Sequence, residues 1–105
     1  MLAKPALLLL YVTCASEKEA RRIGQTLVAE NQVACVNIVP AIHSIFRENG
    51  KTKGCTESLL LGKVLAGNQN SVEKRIRQLH SYRIPCICFY PTAHVNAEYL
   101  RWAQK

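Results

Sequence analysis

The sequence predicts a single α+β domain over residues 1–105, with the elements in the order strand, helix, strand, strand, helix, strand and a short closing helix. Two segments repeat apolar residues at the spacing of a helix, and four short apolar runs have the length of strands. An Asn-Gly pair separates the two middle runs, which is typical of a hairpin turn. This order is the split βαβ arrangement, here with a long central hairpin.

The first half of the chain contains the first strand, the first helix and the second strand. "ALLLLYV" is apolar at consecutive positions, which is typical of a strand that is buried on both faces. "SEKEARRIGQTLVAENQ" opens with a capping box formed by Ser16 and Glu19, and then repeats apolar residues at helical spacing: Ala20, Ile23, Leu27 and Val28. "VACVNIVP" predicts a strand that ends at Pro40, because proline has no N–H to donate to a central ladder. "AIHSIFR" then continues as extended chain.

The second half repeats the pattern of the first. The Asn49-Gly50 pair predicts the turn of a hairpin that leads into the strand "TESLLLGKV". "NSVEKRIRQLH" predicts a second helix, with Val72, Ile76 and Leu79 on its apolar face. "IPCICFYP" predicts the last main strand, and "NAEYLRWAQ" predicts a short closing helix capped by Asn96.

The predicted sheet carries more apolar surface than its own helices can cover. Both helices are expected on one face, because crossovers between strands are right-handed. The runs "ALLLLYV" and "SLLL" nevertheless have apolar residues at consecutive positions, so both faces of the sheet require burial. We therefore expect a second copy of the chain to cover the face that the helices leave open.

The charge balance is basic, with 14 Lys and Arg residues against 7 Glu, no Asp and a formal net charge of +7. Such a surplus attracts polyanions. The basic residues are nevertheless scattered along the chain and mixed with Glu on the predicted helices, and no nucleic-acid-binding motif accompanies them. We expect no nucleic-acid partner. We expect no membrane partner either, because the apolar run at residues 6–12 is too short to span a bilayer.

Five cysteines occur, at positions 14, 35, 55, 86 and 88, and none of their spacings is the CxxC of a zinc or thioredoxin site. Their odd number and apolar surroundings favour a reducing cytoplasm. One feature favours secretion instead, because "MLAKPALLLLYVTCAS" has the outline of a signal peptide. The same run makes a good buried first strand, so we predict a cytoplasmic location.

Five segments of the chain follow one another with the order and spacing of a known family: "VTCASEKEA", "LVAENQVACVNIVPAIHSIFRENGK", "SLLLGK", "LHSYRIP" and "AEYLRWAQ". Over nearly the whole chain they resemble the CutA divalent-cation tolerance family. The resemblance implies a ferredoxin-like fold related to the PII signalling proteins and assembly as a homotrimer. It also implies binding of copper or another divalent cation, in a role connected with metal tolerance.

The resemblance also implies a set of metal ligands. The family's proposed ligands are the Cys of its opening motif, the His of LHPY and the Glu of PE. Cys14 and His80 match the first two, and Cys86 stands in the place of the Glu. The predicted metal ligands are therefore Cys14, His80 and Cys86. A thiolate in place of a carboxylate shifts the preference toward softer metals such as Cu(I) or Zn.

Other interpretations of the same residues remain open. Strand alternation places Cys86, Cys88 and Tyr90 on one face and Ile87 and Phe89 on the other, so the two thiols can simply belong to a contact between chains. A cysteine near His80 or His94 can be a nucleophile, but no orienting Asp exists, no catalytic residue is predicted and no organic cofactor is evident. A PII-like sensor could instead bind a small molecule in a cleft between subunits, lined by aromatic residues: Tyr82, Tyr99 and Trp102.

Overall fold

The computed structural model describes residues 5–105. Residues 1–4, which open the segment with the outline of a signal peptide and include Lys4, lie outside the described residues. The elements are the strands β1 (Leu7–Cys14), β2 (Cys35–Glu48), β3 (Lys51–Leu65) and β4 (Ile87–Pro91), the helices α1 (Glu17–Ala29), α2 (Gln69–Leu79) and α3 (Ala97–Ala103), and a single 3₁₀ turn, Ala66–Asn68. Their order along the chain is the predicted one.

The four strands form one antiparallel sheet in the order β2-β3-β1-β4. This is the predicted ferredoxin-like topology. The helices α1 and α2 contribute to one buried cluster with the inner residues of β1 and β3, and the fully buried side chains include Leu10, Ile23, Leu60 and Ile76. The core therefore lies between the two helices and one face of the sheet, as the apolar periodicity of both helices requires.

Two local signals have the predicted geometry. The hydroxyl of Ser16 accepts a hydrogen bond from the backbone N–H of Glu19 at the start of α1, as in a capping box. The turn between β2 and β3 places Asn49 at φ 52° and Gly50 at φ 76°, which are the positive values that a tight hairpin turn of this kind needs.

Pro40 does not end the second strand as the sequence predicts. The strand β2 runs through it, with an irregularity in pairing between Val39 and Ile42. Because β2 lies at the edge of the sheet, its other side needs no partner and a proline is tolerated there. The carbonyl of Pro40 accepts a hydrogen bond from the hydroxyl of Ser58 at 2.5 Å, which satisfies the backbone at the irregularity.

Two further details of the predicted helices are wrong. Val28 is 40% exposed, because the buried stripe of α1 follows the positions of Ala20, Ile23 and Leu27 and leaves Val28 at its margin. Asn96 does precede α3, but its side chain makes no capping hydrogen bond.

The opposite face of the sheet carries apolar side chains that the helices do not bury. We call this the open face, and its members on β1 and β3 are half-buried: Leu9, Tyr11, Leu59 and Leu61. Val39 on β2 is 38% exposed and Tyr90 on β4 is 50% exposed. The predicted excess of apolar sheet surface is therefore present in the structure.

Candidate metal site

Three side chains with metal-binding atoms meet at one end of the sheet. Cys14 is the last residue of β1, Glu19 lies in the first turn of α1, and His80 caps the C-terminus of α2. Their sulfur, oxygen and nitrogen atoms lie within 4.8 Å of one another, and all three residues are buried. The sequence predicts Cys14 and His80 as ligands, and it predicts Glu19 only as a capping residue. The capping box is the signal that could have placed this carboxylate beside the end of β1.

Both ring nitrogens of His80 are already engaged with the backbone. The N–H of Tyr82 donates to Nδ1 at 3.0 Å. Since Nδ1 accepts, the proton of a neutral imidazole lies on Nε2, which donates to the carbonyl oxygen of Thr13 at 2.9 Å. A metal ion would therefore have to replace one of these two hydrogen bonds.

The carboxylate of Glu19 is held in the same way. One oxygen accepts from the N–H of Ala15 at 3.0 Å and the other accepts from the N–H of Ser81 at 2.9 Å. Burial alone would raise the pKa of Glu19, but the hydrogen bonds from Ser81 and Ala15 outweigh it and lower the pKa below its usual value. Glu19 therefore remains ionised and ties the start of α1 to the segment that follows α2.

The thiol of Cys14 is fully buried and strongly favours its protonated form. Burial raises its pKa to about 12, and the negative charges of Glu19 and Glu57 contribute to the rise. The thiolate is the form of cysteine that binds metals. With a protonated thiol and a fully hydrogen-bonded imidazole and carboxylate, the three groups do not fit a metal ion as they are arranged. They form a buried hydrogen-bonded joint between β1, α1 and the end of α2.

Cys86, the third predicted ligand, does not belong to the cluster of Cys14, Glu19 and His80. It lies one residue before β4 rather than within the strand. The register of β1 and β4 pairs Val12 with Ile87, so Cys86 follows this pairing toward the end of the sheet where Cys14 lies. Its sulfur is 3.7 Å from the sulfur of Cys88, with Cys86 exposed and Cys88 half-buried. Cys86 therefore contacts a thiol that the predicted ligand set leaves out.

The side chains of β4 alternate between the two faces of the sheet as predicted. Ile87 and Phe89 pack against the core, whereas Tyr90 is half-exposed on the open face beside Tyr11 of β1, at 6.3 Å between ring centroids. The segment between α2 and β4 is tied to β3 by Tyr82, whose hydroxyl donates to Glu57 at 2.7 Å. The negative charge of Glu57 therefore lies near this segment.

The remaining aromatic candidates belong to another part of the molecule. Tyr99 on α3 contacts the sulfur of Cys35 through its hydroxyl at 3.0 Å, and its ring packs beside Trp102 at 5.4 Å between centroids. Trp102 is half-exposed. Tyr82 instead packs beside His80, at 4.8 Å between centroids. The three aromatic residues therefore do not line one cleft within a single chain.

Comparison with known proteins identifies the family. A family model described as the CutA1 divalent ion tolerance protein matches residues 8–105. The chain belongs to the CutA1 family. The divalent-cation tolerance protein CutA of Thermus thermophilus is 40% identical over 94 residues, covering 90% of this chain and 91% of that relative. CutA of Archaeoglobus fulgidus is 37% identical over 93 residues, covering 89% of this chain and 90% of that relative.

Solved CutA structures have the same fold. The structure described as the periplasmic divalent cation tolerance protein CutA from Archaeoglobus fulgidus aligns with a TM-score of 0.90 at 34% identity, over 93% of this chain and 95% of that chain. The descriptions of the family model and of the Thermus thermophilus relative name tolerance to divalent ions. Across residues 5–105, every helix falls short of the length and apolar character that a membrane crossing demands.

Proposed function

We propose that the protein acts in metal tolerance as a homotrimer that binds a divalent or soft metal ion, with copper as the first candidate, and that it works by binding rather than by turnover. The observation that carries this proposal is the exposed thiol of Cys86, whose sulfur lies 3.7 Å from that of Cys88, in a chain of the CutA1 family. Thiol and imidazole ligands suit Cu(I), Cu(II) and Zn better than hard cations.

The predicted ligands contribute differently to this proposal. Cys86 is exposed and open to an incoming ion, whereas Cys14 and His80 are buried and can take part only if the joint around them opens. Of the three predicted ligands, we therefore propose Cys86 as the one that binds the metal ion. His80 and Cys14 are proposed as a second position, reached at the cost of one hydrogen bond of the imidazole, either to Thr13 or to Tyr82.

The trimeric assembly is supported by the open face. Half-buried apolar side chains on the two central strands, flanked by exposed Val39 and Tyr90, form a surface of the kind that another subunit covers. Three copies, rather than two, is what the sequence resemblance implies. The proposed compartment is the cytoplasm, because all five cysteines in the described residues are free thiols.

Native mass spectrometry on protein purified without chelator tests both parts of the proposal. We expect the mass of three chains together with bound copper or zinc. Leu61→Glu places a charge on the open face and is expected to dissociate the assembly, whereas Lys74→Glu on exposed helix surface is the matched control and leaves it intact. A monomer at micromolar concentration would rule out the assembly, and protein that neither retains nor takes up a metal would rule out the binding function.

A further inference from the structure

The thiols of Cys86 and Cys88 form a pair whose spacing is set by the fold. Residues two apart in extended chain project to the same face of a sheet. Ile87 between them packs against the core, so the two cysteines are directed away from it together, and their sulfurs lie 3.7 Å apart. The pair is therefore held in place by packing on the opposite side of the strand.

We propose that Cys86 and Cys88 chelate one thiophilic d¹⁰ cation, Cu(I) or Zn²⁺, through both sulfurs. This inference rests on the proposed metal-binding function and assigns its ligands. Two Zn–S bonds of about 2.3 Å at a tetrahedral angle place the sulfurs about 3.8 Å apart. The observed separation of 3.7 Å matches this distance, so the ion can bind without rearrangement of the strand.

Disulfide formation by the same pair would require a larger change. Residues two apart in a strand have Cα atoms about 6.4–6.8 Å apart, at the upper limit of what a disulfide spans. The sulfurs would also have to approach from 3.7 Å to about 2.05 Å. Chelation needs neither movement, which favours the reduced pair as a ligand over an oxidised pair as a crosslink.

The charges around the pair support a cation rather than a free thiolate. The carboxylate of Glu57 lies close enough to Cys86 for its charge to act on that thiol. Its negative charge attracts a cation bound between the two sulfurs. On binding, each thiol releases one proton to solvent and the ion takes both sulfurs. Because Cys86 is exposed, water can complete the coordination of the ion.

Competition titrations of the reduced full-length protein test the pair. Zn²⁺ is titrated against a chromophoric chelator, and Cu(I) against bicinchoninate. We expect one tightly bound ion per chain in the wild type, and a loss of affinity of at least about 100-fold in Cys86→Ser/Cys88→Ser, more than the effect of outer ligand partners. Cys55→Ser removes an exposed thiol elsewhere and is expected to bind as the wild type does.

The variants separate this inference from the proposed function. If the double serine variant binds both ions as the wild type does while His80→Ala loses them, the dithiol site is rejected and the metal-binding function stands. If the wild type binds neither ion, both the dithiol site and the metal-binding function are rejected.

Addition of phenylarsine oxide, which bridges neighbouring thiols, gives a second readout. We expect one adduct per chain in the wild type and in Cys55→Ser, and its absence from the wild type would contradict the paired geometry.

Discussion

The Nε2 of His80 donates a hydrogen bond to the carbonyl oxygen of Thr13 at 2.9 Å and so joins the end of α2 to the end of β1. With Tyr82 donating to Nδ1, this imidazole connects the segment that follows α2 to the end of β1, which is distant in the sequence. Its position between two backbone partners explains a buried histidine in this fold without a metal ion. The arrangement makes His80 important for stability whatever its role in binding.

Replacement of His80 by alanine is expected to destabilise the fold. His80→Ala leaves the Thr13 carbonyl and the Tyr82 N–H without their side-chain partner, which costs about 1–3 kcal/mol for a buried group. Urea denaturation of the metal-free protein at fixed concentration measures the free energy of unfolding. His94→Ala, at an exposed position, is the matched control and is expected to change little. Equal stability of the two variants would contradict this role of the imidazole.

The thiol of Cys14 is expected to be inert in the folded protein. Its pKa of about 12, against an ordinary 9.0, lowers the thiolate fraction about a thousandfold, and its burial excludes reagents as well. Alkylation with iodoacetamide followed by peptide mass analysis should modify the exposed Cys55 long before Cys14. In 8 M urea, taken as roughly full denaturation, the difference should disappear. Comparable rates for the two thiols in the folded protein would show that the joint opens readily.

The phenol of Tyr99 is expected to titrate late. Burial raises its pKa to about 12, from an ordinary 10.0, and the contact with Cys35 adds to the rise. The folded state therefore keeps this proton between those two values while the unfolded state loses it. The stability that Tyr99 contributes is complete below about pH 10 and is lost as the pH rises toward 12.

Phenolate absorbance of the wild type and of Tyr99→Phe gives the titration of Tyr99 by difference. Cys35→Ala should move this titration to lower pH, because it removes one of the groups that raise the pKa. Cys55→Ala provides the comparison at a thiol that does not contact Tyr99. A Tyr99 titration at the same pH in folded and denatured protein would refute the assignment.

The hairpin turn gives a test of backbone conformation alone. Gly50 has φ 76°, and a Cβ placed there would meet no atom within 4 Å. Gly50→Ala therefore introduces no clash, and its expected cost of about 1–2 kcal/mol comes from the left-handed backbone. Gly67 also has open space but an ordinary φ, so Gly67→Ala should be neutral or slightly stabilising. Urea denaturation of both variants at one protein concentration measures the difference, and equal stabilities would argue against a strained turn.

The sequence alone determined the features that depend on neighbours along the chain. The capping box at Ser16, the turn at Asn49 and Gly50, and the inward facing of Ile87 and Phe89 are set by local hydrogen bonds, backbone preferences and strand alternation. The apolar periodicity of the helices and strands was sufficient to predict the order of the elements and the open face of the sheet. Each of these signals acts within a few residues.

Only the tertiary structure decided which distant residues meet. Pro40 remains within β2 because that strand lies at the sheet edge, a position that depends on the pairing of all four strands. Glu19 joins Cys14 and His80 because α1 begins and α2 ends at the same side of the sheet. Cys86 contacts Cys88 instead of these buried residues, because packing of Ile87 directs both thiols away from the core. Such contacts arise from three-dimensional packing, which no periodicity along the chain encodes.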